Sequence, residues 1–347
     1  MSDFLNIVVG SAGRRLYLLR WFRVAMDALD ISGRIIVTDS DPSSAAFTAG
    51  DDAVLMPRYS DPRYEDAMLQ MVDEYQPAMF VSVNDWELLK LGEGLGSELR
   101  SRGVVVPGIS DDDIANVTDK LRLMMTLSDA GIQTPQTVLA SDSAGVAKLK
   151  ATHSRLVVKD RMGSGSSGLQ VVDSPDLNAI IERLSLRQPA EGMQGNLLDH
   201  LVVQPFISGV EYGVDIVGTF KEPEDREFRV LSRRKIRMRA GETDKAQTVD
   251  PGLFAAPAAG IAKVLQPTGL IDVDMLQDSS GTLHVIDINP RFGGGYPFVH
   301  LAGADVPLYY VSSVTGRSID DSWATYKQGV ISAKFEEIRV SASDQCE

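Results

Sequence analysis

A chain of 347 residues is long enough for two or three domains, and 44% hydrophobic with 24% charged residues is ordinary for a soluble globular protein. The net charge of −14 argues against a general nucleic-acid surface, which needs a basic footprint. No apolar run reaches the roughly 18 residues of a membrane span, and the single cysteine, Cys346, excludes an intrachain disulfide and a thiolate zinc cluster. The histidines (His153, His200, His284, His300) are scattered without a close pair, so imidazole metal ligation is not expected. The N-terminus runs straight into an apolar strand with none of the marks of a secretory leader. A cytoplasmic location is therefore the default expectation.

Residues 4–10, FLNIVVG, read as a short apolar strand. SAGRR turns into the helical pattern LYLLRWFRVAMDAL, and RIIVTDSD after Gly33 is a second strand. This βαβ opening predicts a parallel sheet, whose ligands sit beyond the carboxyl ends of the strands. Ser11-Ala12-Gly13 and Asp39-x-Asp41 fall there. The first turn, G-S-A-G-R-R, lacks the full dinucleotide fingerprint. Asp39 either hydrogen-bonds a substrate or caps the next turn. Asp61-Pro62 starts a helix, MFVSVN is a third strand and GVVVPGIS a fourth. At the carboxyl end of the third stand Asn84-Asp85-Trp86-Glu87. They either receive an amino group or serve as the N-cap and first-turn acids of the following helix.

Residues 111–131 predict one helix carrying Lys120, and strand SRLVVKD carries Lys159. A glycine loop and the strand LQVVD follow. Gly163 to Gly168 form a formal G-x-G-x-x-G, but the next segment is β-like, so the loop resembles a phosphate-covering flap more than a Rossmann turn. The lysine precedes the loop and no H-R-D, D-F-G or P-loop motif occurs, which excludes a protein kinase and a P-loop enzyme. PDLNAIIERLSL is a helix, and residues 188–199 read as a mobile connection. LVVQPFISG is a strand whose exit can offer backbone groups to adenine, and Glu211 behind it can hold ribose hydroxyls. In FRVLSRRKIRMRAGE, residues Arg233, Lys235, Arg237 and Arg239 recur every second position and so share one face. That stripe is either an anion site or an edge strand kept soluble by charge. Residues 251–266 and 304–315 are helical, and VISAKFEEIRV is a closing strand.

Residues 269–297 organise the rest. LIDVDML and TLHVIDI alternate around a QDSSG turn, which predicts a β-hairpin. Side chains two apart share a strand face, so the hairpin brings Asp274, Asp287 and Asn289 onto one surface, the hard-oxygen set that Mg²⁺ favours. Arg291 follows, then Gly293-Gly294-Gly295, where bare backbone can approach a ligand. A cation site beside an arginine and a glycine turn suits phosphoryl transfer.

In this order the elements resemble the ATP-grasp superfamily over roughly residues 5–315. They look most similar to the branch related to the carbamoyl-phosphate synthetase large subunit and to amino-acid ligases such as the pyrrolysine-biosynthesis ligase. VIDINPRFGGG, residues 285–295, is the most specific part. Asp119-Lys120, VVKDRMGSGSSG, VQPFISGVEYGVDI and the thirteen-residue step from Asp274 to Asp287 support it. The resemblance implies an α/β and α+β chain: a Rossmann-like domain over residues 1–112, then a two-subdomain ATP-grasp fold. Its small subdomain with the phosphate flap spans 113–200, and the large one with the metal hairpin spans 201–347. It implies ATP with Mg²⁺ or Mn²⁺ as cofactors, and these roles: Lys120, Lys159, Gly165, Ser166 and Ser167 on the phosphates, Gln204, Phe206 and Ile207 at adenine, Glu211 on ribose. Asp274, Asp287 and Asn289 match the metal ligands, and Arg291 the arginine that neutralises the transferred phosphoryl group. Two positions depart from the family pattern: Gln204 and Asp287 are more often Glu.

The expected reaction is ATP-dependent ligation of a small carboxylate, such as an amino acid, to an amine through an acyl phosphate. Arg291, Arg233 and Lys235 are the candidate catalytic cations. A phosphotransferase and a non-catalytic nucleotide-binding module are the rival readings. Partners would be small molecules rather than nucleic acid or membrane, and a homodimer is possible, since dimers are common among such proteins.

Overall fold

Runs of consecutive apolar residues become parallel strands covered on both faces. The computed structural model describes residues 4–162, 168–186 and 196–340. Its first sheet contains β1 (Phe4–Gly10), β2 (Ser32–Asp39), β3 (Asp52–Leu55) and β4 (Met79–Ser82) in the order β3-β2-β1-β4, all pairs parallel. Ile7, Val8 and Val9 are completely buried, between helices that include α1 (Leu16–Ala28) and α2 (Tyr64–Tyr75). The expected fourth strand is corrected here. Residue Val105 makes only a parallel bridge to Met79, and Asp52–Leu55 takes the fourth place in the sheet instead. Pro107 lacks the donor a ladder needs, and Gly108 turns away to bridge Thr268.

Beyond β4 come α3 (Asp85–Lys90), a π turn at Leu91–Leu95 and α4 (Gly96–Ser101). The single helix expected over 111–131 is two: α5 (Asp111–Thr118) and α6 (Lys120–Asp129). They break at Asp119, which is extended (ψ 105°) and accepts the amides of Leu121 and Arg122. A side chain that competes for helix-start amides makes a new N-terminus inside an otherwise helical run.

A small antiparallel sheet follows, built from β5 (Val138–Leu139), β6 (Arg155–Asp160), β7 (Gln170–Asp173) and β8 (Leu201–Pro205) in the order β5-β8-β6-β7. Helices α7 (Ser143–Thr152) and α8 (Leu177–Ser185) bury Leu149, Leu177 and Ile181 against it. The third sheet has six antiparallel strands: β9 (Gly209–Gly218), β10 (Phe228–Arg239), β11 (Glu242–Thr248), β12 (Gly269–Asp278), β13 (Leu283–Asn289) and β14 (Ile331–Ala333). Their order is β13-β12-β9-β10-β11-β14. The closing strand is thus three residues, shorter than the run VISAKFEEIRV suggests, and β10 is interior to the sheet rather than at its edge. Helix α9 (Ala255–Leu265) packs on it.

One aromatic cluster joins the first sheet to the third. Phe22 of α1 meets Phe292 and Tyr310, and Phe292 meets Tyr296, at centroid distances of 4.9–6.3 Å. Tyr296 begins α10 (Tyr296–His300), and Tyr310 lies in α11 (Val306–Thr315). This seam sets the carboxyl ends of β1 and β4 over the hairpin β12–β13. No helix among the described residues is long and apolar enough to cross a membrane.

Candidate active site

In the β12–β13 ladder Asp274 stands opposite Asp287, and Asp272 opposite Asn289. Asp274, Asp287 and Asn289 all line a cavity of about 250 Å³, which Asn84 and Asp85 close from the first sheet. Burial, aided by Asp272 and Glu211, holds Asp274 above the usual carboxylate range against the pull of Lys235. Such a carboxylate gains from a cation. Two carboxylates and an amide suit Mg²⁺, which binds through one or two carboxylates and completes its shell with water and substrate phosphates. Among the described residues no trio of His, Cys, Asp or Glu forms a closed metal cage, so the cation would rest on this open set.

Cations surround those donors. Lys159, on β6, is buried, and its Nζ donates to the Ile286 carbonyl at 3.3 Å. Burial pushes its ammonium down to about 8, which leaves it mainly charged at neutral pH. Lys120 is the first residue of α6, and its Nζ lies 3.9 Å from Asp287. Asp119 aims it: that carboxylate caps α6 and takes a two-pronged grip from Arg161 at 2.9 and 2.7 Å, while the Lys120 amide donates to the Arg161 carbonyl at 3.0 Å. Arg291 donates to both oxygens of Asp85 at 2.5 and 2.7 Å and to Asn289 Oδ1 at 3.3 Å. Asp85 therefore orients the arginine, and Asn84 is the N-cap of α3, accepting the Trp86 amide at 2.8 Å.

The four-cation stripe on β10 does not stay on one face. Register shifts at Lys235/Arg237 and Arg237/Met238 break the alternation. Before the bulge, Arg233 is fully buried and donates to Asp215 at 2.5 Å and Asp272 at 2.6 Å. Lys235 binds Glu211 at 2.6 Å and Asp274 at 2.7 Å. Past it, the Arg237 and Arg239 side chains are 61% and 57% exposed, and both pair with Asp244. In the glycine turn, Gly294 and Gly295 line the cavity, and the missing side chains are needed inside as well. A Cβ on Gly293 would collide with Asp272 and one on Gly295 with Arg233. The bare backbone makes room for the protein's own buried ion pairs.

Toward the small sheet, Gln204 is buried and donates from Nε2 to Thr137 Oγ1 at 2.7 Å. The Phe206 amide is used by the Arg155 carbonyl at 3.1 Å, so what Phe206 can offer a nucleotide is its carbonyl. Its ring lies under the Arg155 guanidinium at 4.2 Å, and half-buried Ile207 continues the same exit. Glu211 lies on β9, held by Lys235. Gly165, Ser166 and Ser167 of the flap, and most of the 188–199 connection, lie outside the described residues. Asp39 accepts from the Gly13 and Asp41 amides and from Ser44 Oγ, which is turn capping.

The ATP-grasp domain model matches residues 117–295, slightly over half of the chain. The chain belongs to the ATP-grasp family. Ahead of that match, residues 7–106 fit the PylC-like N-terminal domain. This ATP-grasp protein also has the fold of several solved structures. The biotin carboxylase domain dimer of 2-oxoglutarate carboxylase from Hydrogenobacter thermophilus, in complex with MgADP, ADP and bicarbonate, is 15% identical with a TM-score of 0.73, over 94% of this chain and 73% of that one. Biotin carboxylase from Campylobacter jejuni is 15% identical with a TM-score of 0.71, over 94% and 74%. Carboxyaminoimidazole ribonucleotide synthase from Aspergillus clavatus, complexed with ATP, is 15% identical with a TM-score of 0.70, over 95% and 82%. Comparison with curated proteins gives no match.

The candidate site contains residues that the sequence did not single out. Asp215 and Asp272 clamp Arg233, and Glu242 and Arg15 line the cavity. Arg15 sits in the turn after β1, where a ligand of a parallel sheet is expected. That location was its one signal, and the pattern G-S-A-G-R-R drew attention to the glycines instead.

Proposed function

We propose that this ATP-grasp protein is a ligase that joins a small carboxylate to an amine at the expense of ATP. A single arrangement carries the reading. Three oxygen donors (Asp274, Asp287, Asn289) and three cations (Lys120, Lys159, Arg291) converge where the hairpin meets the small sheet and the loops of the first sheet. The fold neighbours fit it, since their names describe carboxylases and a synthase in complexes with ADP or ATP.

Asp274, Asp287 and Asn289 would hold a magnesium ion. When bound, it neutralises charge on the phosphates and fixes their geometry. Lys120, at the start of α6, and Lys159, on the small sheet, approach the same place and would bind the phosphate oxygens. Gln204, Phe206 and Ile207 would flank adenine, and Glu211 the ribose. Gly165, Ser166 and Ser167 would cover the phosphates. Arg291, aimed by Asp85, would meet the charge spread over the transferred group. A substrate carboxylate oxygen attacks the γ-phosphorus, and the bond to the β-phosphate oxygen breaks to release ADP. The amine then attacks the acyl carbon, phosphate leaves, and the amine gives up a proton. No covalent enzyme intermediate is required, so the role of the protein is positioning and charge stabilisation. Arg233 and Lys235 act at one remove: held by acids on either side, they set the positions of Asp272 and Asp274.

The test is ADP release on MgATP with amino acids supplied singly and in pairs. Asp287→Ala and Lys159→Ala should each abolish substrate-dependent release. Near-normal turnover in both would refute the reading. Hydroxylamine separates ligation from simple phosphotransfer: an activated carboxylate gives a hydroxamate, and a phosphorylated hydroxyl does not.

A further inference from the structure

Nearly every fixed cation around the cavity has an acid of its own. Arg233 is held by Asp215 and Asp272, Lys235 by Glu211 and Asp274, and Arg291 by Asp85. Arg15 differs. Its Nη1 donates to two carbonyls, Val83 and Phe292, at 2.9 Å each. Among the described residues, no carboxylate stands within ion-pair distance of its guanidinium. The acidic groups whose fields reach it are the Tyr17 phenol and two carboxylates that are already engaged, Glu242, bound by Lys334 at 2.9 Å, and Asp85, bound by Arg291. Burial and the neighbouring Arg291 both disfavour the charge on Arg15.

An arginine cannot escape such a site by losing its proton. Holding its Nη1 with two neutral carbonyls fixes the plane of the group while leaving its charge unmatched. A planar fork on a cavity wall with an uncompensated charge is complementary to a carboxylate. We infer that Arg15 is the residue that seats a carboxylate of the substrate, a role that rests on the ligase reading above. Two facts favour a substrate carboxylate over a nucleotide phosphate. Arg15 comes from the turn after β1, whereas Lys120, at the start of α6, and Lys159, on β6 of the small sheet, reach Asp287 and Ile286. And its anchor, the Phe292 carbonyl, lies on the glycine turn rather than on the hairpin ladder.

The probes are succinate and its uncharged diamide, titrated calorimetrically into wild-type protein, Arg15→Gln and Arg15→Lys, each saturated with MgADP. Wild type should bind succinate in preference to the diamide. Arg15→Gln should weaken succinate binding on the order of tenfold or more, with Arg15→Lys between, since a lysine keeps the charge but loses the fork. MgADP affinity should be the same in all three. Equal succinate binding by wild type and Arg15→Gln, or none by wild type, overturns the assignment. So does a fall in MgADP affinity that matches the fall in succinate affinity, which would place Arg15 on the phosphates. Failure of wild type to bind MgADP at all is a different result, and sinks the ligase reading instead. Because Arg15 ties two loops together, its glutamine variant can fail to fold. Bromide soaked into wild-type crystals and located by anomalous scattering avoids that difficulty. A bromide on the Arg15 guanidinium supports the assignment, and bromides on Arg233, Lys235 or Arg291 with none on Arg15 overturn it.

Discussion

Arg233 and Lys235 stand on the same strand as Arg237 and Arg239, at the same two-residue spacing, and reach opposite environments. The first pair is enclosed by Asp215, Asp272, Glu211 and Asp274 beneath the cavity. The second lies half in water against Asp244. The cause is a bulge between them, together with the tight Ala240-Gly241 turn that ends the strand, both of whose residues have positive φ. Charge in a strand acquires a role from the neighbours that the ladder provides, and a register shift of one residue changes those neighbours.

That contrast can be broken by substitution. Arg233→Met should have the largest effect, because it leaves two buried carboxylates without a partner. Losing one side of a buried ion pair costs about 3–5 kcal/mol, visible as a lower urea midpoint, and an unchanged midpoint would mean the cluster is not as closed as its hydrogen bonds indicate. Gly295→Ala should destabilise less, by about 1–3 kcal/mol for overpacking, because its methyl would enter the space of the Arg233 guanidinium. Combined with Arg233→Met the two losses should be less than additive, and strict additivity would show that the glycine is required for another reason.

Lys235→Met should affect stability less again, while reducing ligase turnover strongly, since it frees Asp274 and Glu211 at the cavity. Stability lost without a change in turnover would assign Lys235 to the scaffold alone. Arg237→Ala should give the smallest change, a melting temperature not separable from wild type, because exposed pairs contribute little. Raising the salt concentration sharpens the contrast: whatever stability Arg237 and Arg239 supply should fade, and that supplied by Arg233 should persist.

Much of the architecture was legible in the residues. The βαβ opening, the hairpin with its QDSSG turn and the strand that carries Lys159 follow from periodicity and turn chemistry, which act over a few residues. That Asp274, Asp287 and Asn289 come to one surface was legible too, because side chains two apart on each arm of a hairpin share a face. What stayed hidden depends on groups far apart in the chain. Asp119 breaks a helical run because it both caps α6 and binds Arg161, 42 residues on. Asp85 aims Arg291 across 206 residues. The glycine turn suggested room for a ligand, and Gly294 and Gly295 do line the cavity; that Gly293 and Gly295 also make room for Asp272 and Arg233 was not legible.

The sequence by itself determined the family, the βαβ opening and the hairpin that carries Asp274, Asp287 and Asn289, since each is written in a short, local pattern. Only the tertiary structure decided which charges are matched. An arginine that will meet acids in space and one that will meet none look alike in one dimension, and their energies differ only once packing has removed the water around them. Arg233 and Arg15 are that difference in this protein: both line the same cavity, one locked between two carboxylates, the other held by carbonyls with its charge unanswered.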